Sequence, residues 1–173
     1  MSDNLKTVPR KSKNMNHFQP IIEPKSEYQI EMMFMTYDCG YRYIFVSCDI
    51  STTYAYGLPT KSKQPSEILE CFKILEEKLQ FAKGCIFTSD NGSEFRGVFQ
   101  QYLKNHEYIR QNTEIGNYRQ LCYVNNAILH LTRAICDDKN EQWVERLGDC
   151  IRTLNLSRAE NQNKTKMKKK IVY

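Results

Sequence analysis

The sequence predicts an α/β domain in which a five-stranded mixed sheet is flanked by helices, and three observations support this fold class. The chain has 173 residues, the usual size of one domain. Short apolar runs of strand type alternate with longer segments whose apolar residues recur at helical spacing. The composition, 40% hydrophobic and 26% charged, is that of an ordinary globular protein, and no apolar run is long enough to span a membrane.

The first three strands are predicted to form an antiparallel meander. Residues 28–37 are rich in apolar residues of strand type, and residues 41–50 have a nearly continuous apolar centre. Cys39 and Gly40 form the turn between these two strands. Residues 53–58 alternate weakly between apolar and other residues, which indicates a third strand.

Helices and two more strands follow the meander. A helix begins near Ser66, directly after Pro65, and Gly84 ends it. The remaining predicted elements are strands at 85–88 and 108–111, a short helix near 99–103, a helix over 121–135 and a last helix from about 141.

Both ends of the chain are basic and poor in apolar residues. We divide the chain into a basic N-terminal arm at 1–17, a core at 18–157 and a basic tail at 158–173. Solvated, flexible ends are the simpler interpretation, and arms that bind nucleic acid are the alternative. The net charge of +5 is compatible with either. The tail residues expected to contact DNA are Lys166, Lys168, Lys169 and Lys170.

The seven cysteines and three histidines give no sign of a disulfide framework or a zinc site. The cysteines are scattered, odd in number and never spaced as CxxC. The histidines are dispersed as well, so solvated or core histidines are expected. We therefore expect reduced thiols in a reducing intracellular compartment.

The string TSDNGSEF at residues 88–95 carries the strongest chemical signal. It places Asp90 at the end of a buried strand, where a second carboxylate could join it to hold Mg²⁺ through hard oxygen ligands. Two such metals held by about three carboxylates clamp the attacking and leaving oxygens of a phosphodiester. The alternative is that Asp90 only orders the loop through an Asx-turn.

Four strings together resemble the catalytic core of retroviral, retrotransposon and Polinton-type integrases. They are YQIEMMFM at 28–35, YRYIFVSCDISTTYAYGLPTKSK at 41–63, TSDNGSEF at 88–95 and QWVERLGDCIRTLN at 142–155. The resemblance covers about residues 18–157. It implies an RNase H-like fold, action on DNA, and Mg²⁺ or Mn²⁺ as cofactor if the chain is active, otherwise none.

The family's catalytic Asp, Asp and Glu map onto Glu31, Asp90 and either Asn125 or Asn126. Two of these three positions depart from the family pattern. Glu31 keeps the charge of Asp but is one methylene longer, which near-octahedral Mg²⁺ tolerates badly. An asparagine at the third position removes a negative charge. By the resemblance, Glu31 and Asp90 are the metal ligands that remain.

Three other acids and two lysines bear on this pattern. Glu145 and Glu114 are the two acids that could replace the missing third ligand, whereas Asp49 matches a position that is not catalytic in the family. Lys61 and Lys63 follow the third strand, where integrase-like proteins often present basic groups to DNA; a solvated turn is the alternative.

The expected function is that of an integrase-like core of viral or mobile-element origin, catalytically inactive and retained for DNA binding or protein assembly. One alternative is an active Mg²⁺-dependent integrase or nuclease acting on DNA phosphodiesters. Another is a structural component of a virion or capsid. We expect DNA and a protein partner or a second copy as partners, no membrane span, and location in the host cytoplasm, the nucleus or the virion.

Overall fold

The computed structural model describes residue 23 and residues 25–113, 118–136 and 142–171, with the side chains of 118, 119 and 165–171 left aside. The predicted arm at 1–17 and Glu114 lie outside the described residues. The side chains of Lys166, Lys168, Lys169 and Lys170 lie outside them too, although the backbone there is described.

Five strands form one mixed sheet, as the sequence predicts. Their order across the sheet is β3-β2-β1-β4-β5. The first three strands are antiparallel neighbours, and the last two run parallel to β1. The strands are β1 (Glu27–Asp38), β2 (Tyr41–Asp49), β3 (Ala55–Thr60), β4 (Ile86–Ser89) and β5 (Ile109–Asn112).

Four α-helices flank the sheet within the described residues. The helices are α1 (Pro65–Leu79), α2 (Val98–Asn105), α3 (Cys122–Cys136) and α4 (Trp143–Ile171). The first helix ends before Gly84, because Gln80 adopts a left-handed conformation and donates its N–H to Glu76 O. None of the helices in the described ranges is both long and apolar enough to cross a membrane.

The sheet buries a different core on each face. Side chains alternate along β1, so Tyr28 and Ile30 face one layer while Met33 and Met35 face the other. The first layer, with α1 and α2, is aromatic and centres on Phe72, which is 1% exposed. The second layer holds α3 and α4 against the sheet.

The buried Gln29 of β1 fixes the start of α3. Its Oε1 accepts the N–H groups of Tyr123 (2.8 Å) and Val124 (3.0 Å), and its Nε2 donates to Gln120 O (2.7 Å). The first N–H groups of a helix have no partner within the helix, so this side chain satisfies them. Because Gln29 and Glu31 are two residues apart on a strand, α3 begins on the face of the sheet that carries Glu31.

The last helix extends past the predicted core boundary at residue 157 and continues to Ile171. At its start, Trp143 donates Nε1–H to Thr36 O at 2.8 Å. Farther along, Asn155 exchanges two hydrogen bonds with the backbone of Ala55, each 2.8 Å. Arg158 then donates to the backbone carbonyl of Thr53. The helix therefore spans the sheet from the end of β1 to the turn between β2 and β3.

Candidate functional site

Asp90 leaves the sheet at the carboxyl end of β4, between β1 and β5. Its Oδ1 accepts the N–H of Gly92 at 2.9 Å, and its own carbonyl accepts the Ser89 hydroxyl at 2.8 Å. This is the Asx-type turn that was predicted as the alternative role of Asp90. The turn also fixes the direction in which the carboxylate points.

Glu31 lies on the neighbouring strand β1 and is half-buried. Gln29 pairs with Thr88 in the parallel register, so Glu31 lies two residues farther along, beside Asp90. The pKa of Glu31 is raised to about 7, chiefly by burial and to a smaller extent by the charges of Asp90 and Glu94. The N–H of Met32, 2.9 Å from Oε1, and the charge of Lys63 act in the opposite direction.

A third carboxylate, Glu94, joins these two, and the sequence reasoning did not single it out. Its side chain is only 5% exposed. A Cβ on Gly92 would lie 2.6 Å from Glu94 Oε2 and 2.9 Å from Asp90 Oδ1, so the two carboxylates converge on the same point. Gly92 is needed there for space, since its φ of −57° suits any residue. We call Glu31, Asp90 and Glu94 the acidic cluster.

Lys63 supplies a positive charge to the acidic cluster. Its Nζ lies 2.6 Å from Glu94 Oε1, and its side chain is 46% exposed. The pKa of Lys63 is raised chiefly by the hydrogen bond to Glu94. The charges of Glu94, Glu31 and Asp90 add to the increase, while desolvation opposes it. A residue predicted to face DNA is therefore paired with a buried acid of its own chain.

The other predicted basic residue of this loop, Lys61, remains exposed. Its ammonium lies 5.6 Å from the centre of the Tyr41 ring. Such a cation–π contact at an exposed site is weak and leaves the charge accessible to solvent.

The candidate third positions, Asn125 and Asn126, lie in the first turns of α3 and are exposed. Asn126 Oδ1 accepts a hydrogen bond from Arg158 Nη2 at 3.1 Å. Both residues follow directly after the segment that Gln29 anchors on the face carrying Glu31. The structure thus brings Glu31 and Asp90 together. It places the two asparagines at the start of a helix, as the sequence predicts.

Glu145 does not supply the missing acid. It is exposed in the first turn of α4, where Val144 donates its N–H to Asp38 Oδ2 at 2.8 Å. The pKa of the Cys39 thiol is raised mainly by its hydrogen bond to Asp38 and, least of all, by the charge of Glu145. Glu145 is therefore close enough to this end of β1 to act on Cys39. Asp38 lies seven residues along β1 from Glu31, a separation of about 20 Å. Glu145 is therefore at the far end of the strand.

Asp49 has a structural role in the turn after β2, and its assignment as a non-catalytic position stays a prediction. It is 2% exposed. Its Oδ1 accepts the N–H of Ser51 at 2.9 Å, and its Oδ2 accepts the Thr52 hydroxyl at 3.0 Å. The carboxylate orders the turn between β2 and β3.

The donor set of the acidic cluster does not fit a divalent metal centre as it is arranged. Glu31 Oε1 accepts from Met32, Asp90 Oδ1 accepts from Gly92, and Glu94 Oε1 is paired with Lys63. Within the described ranges, no three His, Cys, Asp or Glu side chains are grouped so that they could hold a metal ion. An ammonium group, not a third free carboxylate, completes the cluster.

Similarity to known proteins is found in structure, not in sequence. No protein-family model matches the chain, and no curated protein matches it. The catalytic core domain of BIV integrase superposes with a TM-score of 0.58 at 13% identity, covering 73% of this chain and 81% of that one. The HTLV-2 integrase catalytic core domain in complex with magnesium, in its dimeric form, gives 0.59 at 18% identity, covering 77% and 87%.

The chain has the fold of a retroviral integrase catalytic core. A third structure, a simian T-cell lymphotropic virus intasome in complex with PP2A regulatory subunit B56 gamma, gives a TM-score of 0.63 at 15% identity. The superposition covers 74% of this chain and 47% of that one. The predicted RNase H-like fold, with its five-stranded mixed sheet flanked by helices, is confirmed.

Proposed function

We propose that this chain is an integrase-like core of viral or mobile-element origin that no longer performs metal-dependent phosphodiester chemistry and acts by binding DNA. The proposal rests chiefly on one observation: Glu94, the carboxylate that joins Glu31 and Asp90, is held in an ion pair by Lys63. Two-metal phosphodiester chemistry needs carboxylates to balance the charge of both cations. Asparagine at the third position supplies no such charge.

A strand-transfer and cleavage assay with Mg²⁺ or Mn²⁺ tests the loss of chemistry. The wild-type chain is expected to give the same background as Asp90→Asn. Restoring the family pattern with Glu31→Asp and Asn125→Glu together provides the matched gain-of-function variant. Metal-dependent cleavage by the wild type that Asp90→Asn abolishes would contradict the proposal and favour the active integrase or nuclease.

The distribution of charge supports DNA as the partner. The whole chain carries a net charge of +5, and the segment after residue 157 holds six basic residues against one acidic residue, so the rest is close to neutral. The backbone of this segment continues α4 as far as Ile171. Clustered basic residues bind phosphates without reading sequence. The six basic residues are Arg158, Lys164, Lys166, Lys168, Lys169 and Lys170.

Duplex binding followed by fluorescence anisotropy over a salt series tests this role. Changing Lys166, Lys168, Lys169 and Lys170 to Gln should weaken binding and flatten the salt slope by about 0.9 for each lost phosphate contact. The matched control changes four exposed lysines in other parts of the chain to Gln: Lys25, Lys78, Lys83 and Lys104. Absence of duplex binding even at about 50 mM salt would contradict a DNA-binding role.

Assembly with a second copy or another protein is the second candidate function. Phe34 and Tyr37, which are 71% and 66% exposed, place apolar surface on the hairpin between β1 and β2. The HTLV-2 core domain is described in dimeric and trimeric forms. Sedimentation of the chain alone tests self-assembly. A monomer at all concentrations would exclude assembly with a second copy of this chain.

All seven cysteines are free. This supports a reducing location, which we propose to be the host cytoplasm, the nucleus or the virion.

A further inference from the structure

We propose that the ammonium group of Lys63 takes the place of a divalent cation in the acidic cluster and keeps such cations out. The inference rests on the proposed loss of metal chemistry and gives it a structural cause. Its basis is the ion pair between Lys63 and Glu94, whose Nζ and Oε1 atoms are 2.6 Å apart.

Glu94 requires a positive partner at this position. Its side chain is 5% exposed, and a buried carboxylate without a partner is strongly unfavourable. Its Oε2 and Asp90 Oδ1 both lie within 3 Å of the point where Gly92 would carry a Cβ, 2.6 and 2.9 Å from it respectively. The two carboxylates are therefore close together, and the charge of Lys63, which is paired with Glu94, also interacts with those of Asp90 and Glu31.

The loop that carries Lys63 is built to hold it in position. The loop lies between β3 and α1, and Glu67 in the first turn of α1 closes it. The Glu67 carboxylate accepts the N–H of Lys61 at 2.7 Å and the N–H of Ser62 at 3.0 Å. The Thr60 hydroxyl donates to Ser62 O at 3.0 Å. Lys63 follows a fixed backbone, so less conformational freedom is lost when its side chain pairs with Glu94.

An ammonium group and a divalent metal ion differ in what they can do at this site. The ammonium donates hydrogen bonds and carries one charge, but it has no open coordination position for water or a phosphoryl oxygen. A divalent ion entering the cluster would meet the Lys63 charge at short range and would have to displace it. The ion pair thus fixes the β3–α1 loop to the β4 turn, where a metal would otherwise bind.

Titration with Mn²⁺, followed by the loss of its free electron paramagnetic resonance signal, tests the inference. Wild type and the matched control Lys61→Met should show no saturable binding up to about 1 mM Mn²⁺. Lys63→Met should bind at least about tenfold more tightly, because the competing charge is gone. Adding Glu94→Gln to Lys63→Met should abolish that gain. Equal affinity of wild type and Lys63→Met, whether tight or undetectable, would overturn the inference.

Two further measurements keep the test decisive if Lys63→Met does not fold. Lys63→Gln is more polar and should show the same gain of binding; an unchanged affinity would overturn the inference. In the ¹⁵N-labelled wild type, the side-chain amino resonance of Lys63 should persist when Mn²⁺ is added. Its selective loss at low Mn²⁺ would show metal beside the lysine and would overturn the inference as well.

The two proposals fail in distinguishable ways. Metal-dependent strand transfer by the wild type would contradict the proposed function. An inert wild type whose Lys63 variants gain no Mn²⁺ binding would leave that function standing and remove only the role of Lys63.

Discussion

Two parts of the molecule bury carboxylates at the ends of strands and stabilise them in different ways. In the turn after β2, Asp49 accepts hydrogen bonds from Ser51 and Thr52, which are neutral groups within three residues of it. In the acidic cluster, the carboxylates come from different segments, and Glu94 is paired with the charged Lys63 of a distant loop.

The difference separates an acid that shapes a turn from acids that are arranged around a cation. Short-range hydrogen bonds from neutral donors can stabilise a carboxylate without another charge. Several acids brought together raise one another's free energy when ionised, and they need positive charge from elsewhere. We therefore expect substitutions at Asp49 to affect stability alone, and substitutions in the acidic cluster to change its response to pH and to metal ions.

The largest effect is expected at Asp49. Asp49→Ala removes two hydrogen bonds to a charged, buried acceptor and leaves the half-buried N–H of Ser51 without its partner, so unfolding free energy should fall by about 3 kcal/mol. Asp49→Asn, which keeps one oxygen acceptor, is the milder control. Urea denaturation measures both. An Asp49→Ala chain as stable as the wild type would mean that the turn does not depend on this carboxylate.

The next effect is a dependence of stability on pH caused by Glu31. Its carboxyl group titrates near 4.5 in the unfolded chain and about 7 in the folded chain. Between these values the folded state holds the extra proton, so stability should fall as pH rises through that window, by about 3 kcal/mol at most and by about 2 kcal/mol once solvent screening of this half-buried group is allowed for. The Glu31→Gln variant should lose this slope and be more stable than the wild type at about pH 8.

Unfolding measured across that pH range checks the prediction. Parallel curves for wild type and Glu31→Gln would contradict it, because the substitution would then have removed no titrating group whose proton affinity differs between the two states.

A smaller effect is expected from removing the positive charge of the acidic cluster. Lys63→Met leaves the buried Glu94 oxygen without its partner and should lower unfolding free energy by about 1–2 kcal/mol, since Lys63 itself is half-exposed. Lys61→Met, in the same loop but exposed, should change it by less than about 0.5 kcal/mol. Chemical denaturation should therefore show a larger loss of unfolding free energy for Lys63→Met than for Lys61→Met. Equal losses would mean that the pairing of Lys63 with Glu94 does not stabilise the fold.

The smallest effect is expected at the candidate third position. Asn126→Ala removes an exposed hydrogen bond to Arg158, so a loss of about 0.5 kcal/mol or less is expected. Asn125→Ala, one residue earlier and also exposed, is the comparison. Thermal unfolding of the two variants measures the difference. A loss of several kcal/mol at either asparagine would show that this turn is a structural element of the site.

Most of the fold could be predicted because its elements carry hydropathy signals. The strand at 41–50 and the helix over 121–135 were predicted within one residue of β2 and α3 at each end. The extension of α4 past residue 157 was not predicted. It is held by Arg158 and Gln162 through side-chain hydrogen bonds to backbone carbonyls, and such contacts leave no apolar periodicity.

The candidate site was predictable only in part. The resemblance pointed to Glu31 and Asp90, which the sheet register brings side by side. Their roles in metal binding remain predictions. Glu94 belonged to the same string as Asp90, yet its importance depends on burial and on Lys63. A contact between two loops far apart in sequence cannot be read from either loop alone.

A crystal of the wild-type chain soaked in Mn²⁺ and examined by anomalous diffraction tests the central claim most directly. The account predicts no anomalous peak in the acidic cluster and a Lys63 ammonium still hydrogen-bonded to Glu94. A manganese ion bound by Glu31 and Asp90, with Lys63 displaced, would contradict it.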